Sequence, residues 1–219
     1  MKLLAIDTSN KIASVAVFDN NICLGEKLSD DQKTHSEKLL PIMDELLTEL
    51  GLTIKDIDLL AVSVGPGSFT GIRIGVATIK GIAQALDKSV IGVTSLEGLI
   101  EMGNSENVCA VINAKHGNVY AQIKYKNELK TPDCKEISQL LNELKMLNEK
   151  FVIVGDATEE YESLFKSEIN CEILTKKIET SLEIGKVALN KYYTDENNAK
   201  NPSEINPIYL RLAQPDRGV

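Results

Sequence analysis

The chain has 219 residues, 43% of them hydrophobic, with few aromatics and no Trp, so it can build a sizeable core mostly from Leu, Ile, Val and Ala. Its formal charge is −8, from 24 Lys and Arg against 32 Asp and Glu; this argues against a protein that grips nucleic acid by itself, because phosphate binding needs a basic stripe. Cys23, Cys109, Cys134 and Cys171 form no C-x-x-C pair, which argues against a disulfide or zinc framework and for reduced thiols.

The opening apolar run ends at Asp7, too early for a secretory leader. No stretch reaches the ~18 apolar residues of a membrane helix. A soluble cytoplasmic chain is expected, with Cys23 and Cys109 in the core. Strands are predicted at 3–6 and 12–18, followed by the turn Asp19-Asn20-Asn21 and a returning strand at 22–28. A helix capped by Thr34 or Ser36 should run to Gly51, with a kink at Pro41 and a stripe of Leu39, Leu40, Met43, Leu46, Leu47 and Leu50. A strand at 59–64, a helix at 70–86, a strand at 89–93 and a helix at 95–102 come next. A polar break at 103–107 separates these from a partial repetition. Strands at 108–112 and 119–125 flank a turn at 115–118; then follow a helix at 136–147, a strand at 151–154, a helix at 159–165, a strand at 171–174 and a helix at 182–192. A polar, proline-bearing tail starts at Asn201. The same order of elements occurs twice, which predicts two related α/β lobes, 1–104 and 105–219.

The segment VGPGSFTGIRIG, 64–75, joins a buried strand to a helix and holds Gly65, Gly67, Gly71 and Gly75. Such a turn either cradles an anion on backbone N–H groups or is a tight turn with Ser68 or Thr70 as the cap. No Lys-Ser or Lys-Thr closes it, so it is not a Walker A loop. LAIDTS, 4–9, places Asp7, Thr8 and Ser9 at the end of the first strand. Acid and hydroxyl groups there either hold magnesium and phosphate or form an ordinary polar turn. Asp7, Thr8, Ser9, Gly65, Gly67 and Ser68 are therefore the candidate nucleotide-binding residues.

The helix at 70–86 is apolar nearly all round. Ile72, Val76, Ile79, Ala83 and Leu86 form one stripe, while Ile74, Gly75, Ala77, Ile82 and Ala85 leave the opposite side small or apolar. Such a helix needs burial on more than one side, either under the helix before it or against another chain. Gly71 and Gly75, four apart, permit close approach.

Taken in order, LAIDTS, HSEKLLP (35–41), VGPGSFTGIRIG, GVTSLEGL (92–99), GNVY (117–120), VGD (154–156) and PIYLR (207–211) resemble the bacterial TsaB (YeaZ) family. The resemblance implies an α/β fold of two related lobes of the actin, sugar kinase and Hsp70 type, ribonuclease H-like, each a mixed sheet with flanking helices. It implies a role in making N6-threonylcarbamoyladenosine on tRNA, as the non-catalytic partner of the enzyme TsaD, with TsaE as an ATPase. It further implies a homodimer when alone, a heterodimer with TsaD, and contact with tRNA only through the complex. No cofactor is required of this chain, ATP and magnesium being left to the complex, and Asp7, Thr8, Ser9, Gly65, Gly67 and Ser68 would be a vestigial nucleotide site. The pairing surface would be Leu39, Met43 and Leu46 on one helix with Gly71, Ile72, Gly75, Val76, Ile79 and Ala83 on the next. No catalytic or metal-binding residue is expected: TsaD carries a metal-binding His-x-x-x-His where this chain has Ser95 and Leu99, and Leu cannot bind a metal. The same gap disfavours a metalloprotease. His35 and His116 are expected to cap or lie at the surface. Relatives often read Asp-Ala-Arg and Gly-Glu-Val-Tyr where this chain has Asn113-Ala114-Lys115 and Gly117-Asn118-Val119-Tyr120. The alternative is an independent ATP-binding phosphotransferase of the same superfamily, although Gly155-Asp156-Ala157 supplies only one glycine for a second phosphate loop.

Overall fold

A computed structural model describes residues 1–29, 35–174 and 180–210. The expected Thr34 cap, the side chain of His35 and the segment from Arg211 onward lie outside the described residues. Two mixed sheets carry the fold. The first has strand order β3-β2-β1-β4-β5, from β1 (Lys2–Asp7), β2 (Ser14–Asp19), β3 (Ile22–Leu28), β4 (Leu59–Ser63) and β5 (Ser89–Val93). The β1–β2–β3 pairs are antiparallel, and β4 and β5 add in parallel. The second sheet runs β11-β10-β6-β7-β8, from β6 (Val108–Lys115), β7 (Asn118–Tyr125), β8 (Glu128–Leu129), β10 (Phe151–Val154) and β11 (Cys171–Ile173); β9 (Asp133–Glu136) also pairs with β7. It repeats the plan of an antiparallel β6–β7 hairpin extended in parallel by β10 and β11. The near-continuous apolar runs of β1, β4 and β6 follow from burial on both faces.

Six α-helices are described: α1 (His35–Glu49), α2 (Phe69–Leu86), α3 (Ser95–Gly103), α4 (Ile137–Leu147), α5 (Ala157–Glu168) and α6 (Ser181–Thr194). Their ends follow from short polar residues. Ser68 Oγ accepts the Gly71 N–H at 3.2 Å to cap α2. Thr94 and Glu97 form a capping box on α3. Asp87, Asn104 and Asn148 end α2, α3 and α4 in the left-handed conformation.

Alternation along the strands decides which helix meets which side. Leu4 and Ile6 of β1 face α1 and α2, with Leu39, Met43, Ile72, Val76 and Ile79. Leu3 and Ala5 face the opposite way, with Phe18, Ile184, Ala188 and Leu189 of α6. In the second sheet Cys109 and Val111 pack with Leu140, Leu144 and Phe165 of α4 and α5. Val108, Ala110 and Ile112 pack with Leu96 and Leu99 of α3. A helix from each half thus covers the sheet of the other. The expected split into 1–104 and 105–219 follows the chain but not this packing. The tail also returns to the first sheet: Lys200 and Val90 exchange backbone hydrogen bonds of 2.9 Å, and the Ile208 N–H donates to the Val64 carbonyl at 2.8 Å.

Cys23 is exposed, against expectation, whereas Cys109 is buried. The reason is position: β3 is an edge strand with exposed Ile22 and Leu24. The structure also adds the short β8 and β9 and extends α5 at both ends.

Candidate functional site

The six candidate nucleotide residues do come together. Parallel pairing of β1 and β4 sets the Asp7-Thr8-Ser9 turn beside the Gly65–Ser68 turn, at the carboxyl ends of both strands. The two turns are bonded to one another. Thr8 Oγ1 donates to the Gly71 carbonyl at 2.7 Å, and the Ser68 N–H donates to the Ser9 carbonyl at 2.7 Å. Gly75 carries no Cβ because one there would lie closer than 3.0 Å to Thr8 Oγ1. Gly65, at φ 101°, turns its carbonyl to the Ser95 N–H at 2.9 Å.

Asp7 is 1% exposed. Its Oδ1 accepts the Ser9 N–H at 2.7 Å, and its Oδ2 accepts the hydroxyl of Thr180, which stands just before α6. Ser181 strengthens the same joint. Its N–H donates to Ser14 Oγ at 3.2 Å and its hydroxyl to Glu26 Oε1 at 2.7 Å. The carboxylate that would hold magnesium is therefore bonded to the chain's own second half, and the N–H of Ser68 is already donating. Ser9 Oγ is buried and lacks a partner among the described residues. As arranged, the residues form a packed joint in which the Asp7 carboxylate is bonded to Thr180.

Ser95 and Leu99 are both buried. Ser95 Oγ lies 2.8 Å from Ser63 Oγ, and Leu99 packs with Val108, Ile112 and Val154. These positions serve the core, and no group of three or more His, Cys, Asp or Glu placed to hold a metal ion stands among the described residues. His116 sits exposed in the β6–β7 turn. In that hairpin the Asn113 N–H donates to Asp156 Oδ1 at 2.8 Å, and Asn113 Nδ2 donates to Glu160 Oε2 at 2.6 Å. Burial pushes the Asp156 carboxyl above the ordinary carboxylate range, against the Asn113 N–H bond and the Lys115 charge.

The expected pairing residues are buried within the chain. Leu39, Met43, Leu46, Gly71, Ile72, Gly75, Val76, Ile79 and Ala83 all face inward, the large ones as part of the first core. Their apolar stripe is consumed by the chain's own sheet. Another chain could reach Leu40, Pro41, Asp44 and Thr48 on α1, and Thr70, Arg73, Ala77, Gly81 and Ala85 on α2. Leu40 is 54% exposed.

Thr180 escaped the sequence reading, although a signal was present. TSLE occurs twice, at 94–97 and 180–183, and opens both exchanged helices. Thr94 caps its own helix, whereas the second threonine turns to Asp7. A cavity of about 230 Å³ lies at the β5 edge, lined by Val64, Gly92, Lys191 and Lys200 among others; none of the six candidate nucleotide residues lines it. No helix among the described residues is long and apolar enough to cross a membrane.

Comparison with known proteins fits this geometry. The sequence model of the TsaD family, tRNA N6-adenosine threonylcarbamoyltransferase, matches residues 29–214. The tRNA threonylcarbamoyladenosine biosynthesis protein TsaB of Bacillus subtilis is 32% identical over 98% of this chain and 96% of its own length. The protein of the same name from Haemophilus influenzae is 39% identical, over 55% of this chain and 52% of that one. Among solved structures, an uncharacterized Pseudomonas aeruginosa protein with similarity to peptidase YEAZ superposes with a TM-score of 0.81 at 23% identity, covering 96% of this chain and 99% of that one. A Listeria monocytogenes protein described as a putative N-acetylmannosamine kinase gives 0.54 at 12% identity, covering 90% of this chain and all of that one, a likeness of fold. On a two-lobed fold of the actin and sugar kinase type, the chain belongs to the TsaB family of tRNA threonylcarbamoyladenosine biosynthesis proteins.

Proposed function

We propose that this chain is an accessory, non-catalytic subunit of the cytoplasmic machinery that makes N6-threonylcarbamoyladenosine, binding and supporting TsaD together with TsaE. The observation that carries the reading is a substitution inside a preserved frame. The chain matches the TsaD family model across most of its length, and Ser95 and Leu99, which the resemblance sets at that family's ligand positions, are spent on the core. An aliphatic side chain that packs with Val108 has no lone pair to offer a metal. The joint of Asp7 with Thr180 supports the same reading, because a phosphotransferase would need that carboxylate for magnesium. The docking surface is the outer side of α1 and α2. It serves self-pairing when the chain is alone and TsaD when the enzyme is present, and tRNA is reached only through the complex.

The test is light scattering after size exclusion on this chain, alone and mixed with TsaD from the same organism, followed by tRNA modification with TsaE, ATP and the threonylcarbamoyl donor. The expected result is a heteromer that replaces the homodimer and restores modification. No association, together with nucleotide turnover by this chain alone, would favour the phosphotransferase alternative.

A further inference from the structure

At the start of α2 three apolar side chains are exposed together: Phe69 at 45%, Ile208 at 41% and Tyr209 at 43%. Arg73, one turn into the helix, holds them in register. Its guanidinium carbon lies 3.7 Å from the centroid of the Phe69 ring and 5.8 Å from that of Tyr209. Its Nε donates to Tyr209 Oη at 2.9 Å. The two rings are 5.3 Å apart. No ion pair links Arg73 to a carboxylate among the described residues. That is notable in a chain carrying eight more acids than bases.

The Nε bond and the two ring contacts hold the guanidinium, and neither Nη donates a hydrogen bond among the described residues. A planar fork with unused donors recognises a carboxylate by two parallel hydrogen bonds. Stacking on an aromatic ring limits the side-chain entropy lost when a partner arrives, and Arg and Tyr are among the side chains enriched where interface energy concentrates. The cluster continues the exposed side of α2 formed by Thr70, Ala77 and Gly81.

Resting on the docking surface proposed above, we infer that Arg73, held by Phe69 and Tyr209, is a receptor for an Asp or Glu side chain of the partner protein, with Phe69, Ile208 and Tyr209 as its apolar collar. The occupant is a protein carboxylate flanked by an apolar residue.

The experiment measures affinity of the full chain for TsaD from the same organism by biolayer interferometry, for wild type, Arg73→Lys, Arg73→Glu and Tyr209→Phe. Arg73→Lys keeps the charge and loses the fork, so a loss of ~10-fold or more is expected. Tyr209→Phe frees the guanidinium and should weaken binding by a smaller factor. Arg73→Glu should abolish binding, and one Asp→Lys or Glu→Lys substitution on the partner should restore it. Circular dichroism should show all three variants folded, since the cluster is exposed. Wild-type affinity in Arg73→Lys overturns the receptor and leaves the docking surface standing. Failure of the wild-type chain to bind overturns both. Saturable tRNA binding by the isolated chain that Arg73→Glu removes would reassign the fork to phosphate and overturn the inference.

Discussion

Replacing Gly75 by alanine sets a methyl group against Thr8 Oγ1 at less than the 3.0 Å that real Cβ atoms respect. Both groups are immobile, since Thr8 is 0% exposed and its hydroxyl is tied to the Gly71 carbonyl at 2.7 Å. Relief needs α2 to lift off β1 or Thr8 to rotate and break that bond. Overpacking of this kind costs about 1–3 kcal/mol, and an unpaired buried hydroxyl adds roughly 1–3 kcal/mol. Alanine's better helix propensity returns ~1 kcal/mol. The net expectation is a loss of about 1–5 kcal/mol, or roughly 2–20 °C in Tm for a chain of this size. Thermal melts of Gly75→Ala, Thr8→Ala and the double variant measure it. Thr8→Ala removes the obstructing oxygen, so the double variant should be more stable than the sum of the single losses predicts, by ~1 kcal/mol or more. A Gly75→Ala protein melting within 1 °C of wild type, or strict additivity, would refute the contact. It would return Gly75 to the role of a spacer for another chain.

Gly155 sits at φ 130°, and a Cβ there would overlap the Val111 carbonyl, which as backbone cannot turn away; Gly155→Ala should give little soluble folded protein, scored by size exclusion. Gly81 has open space around it, so Gly81→Ala should raise Tm by about 2–4 °C through helix propensity alone. Burial raises the Asp156 carboxyl in the fold. Its charged form is therefore penalised only above the ordinary carboxylate range, so the stability of Asp156→Asn relative to wild type should climb as pH rises through the window between the ordinary and raised values and then level off. Urea titrations from pH 3 to 8 should reveal that climb. Full burial pushes the Cys109 thiol far up, so Cys109 should resist alkylation until the protein unfolds, as read by mass spectrometry of labelled peptides.

Strands with continuous apolar runs, such as β1 and β4, were legible because burial on both faces leaves a period-free signature. The α2 helix was legible from its caps and length, and Ser68 was among the expected caps. What α2 faces was not. A stripe such as Ile72, Val76, Ile79 and Ala83 says that one side is buried, but it is the same stripe whether a sheet or a partner lies beneath. Arg73 and Phe69 were invisible for a related reason: their meaning comes from Tyr209, 136 positions away in sequence. The two glycine and hydroxyl turns were correctly placed side by side at strand ends. Their closure was hidden, because a Thr-x-x-Glu pattern signals a helix cap, and nothing local to Thr180 points to Asp7.

The exchange of α3 and α6 between the sheets bears on how the chain is made. When a ribosome has released the first five strands, one side of that sheet still lacks α6, whose Ile184, Ala188 and Leu189 are synthesised about ninety residues later. Phe18 waits uncovered for the same interval. The nascent first half thus leaves apolar surface uncovered until translation nears its end. Severing the chain at the polar break strands each roof with the wrong walls, so separately expressed halves should be recoverable only when produced together.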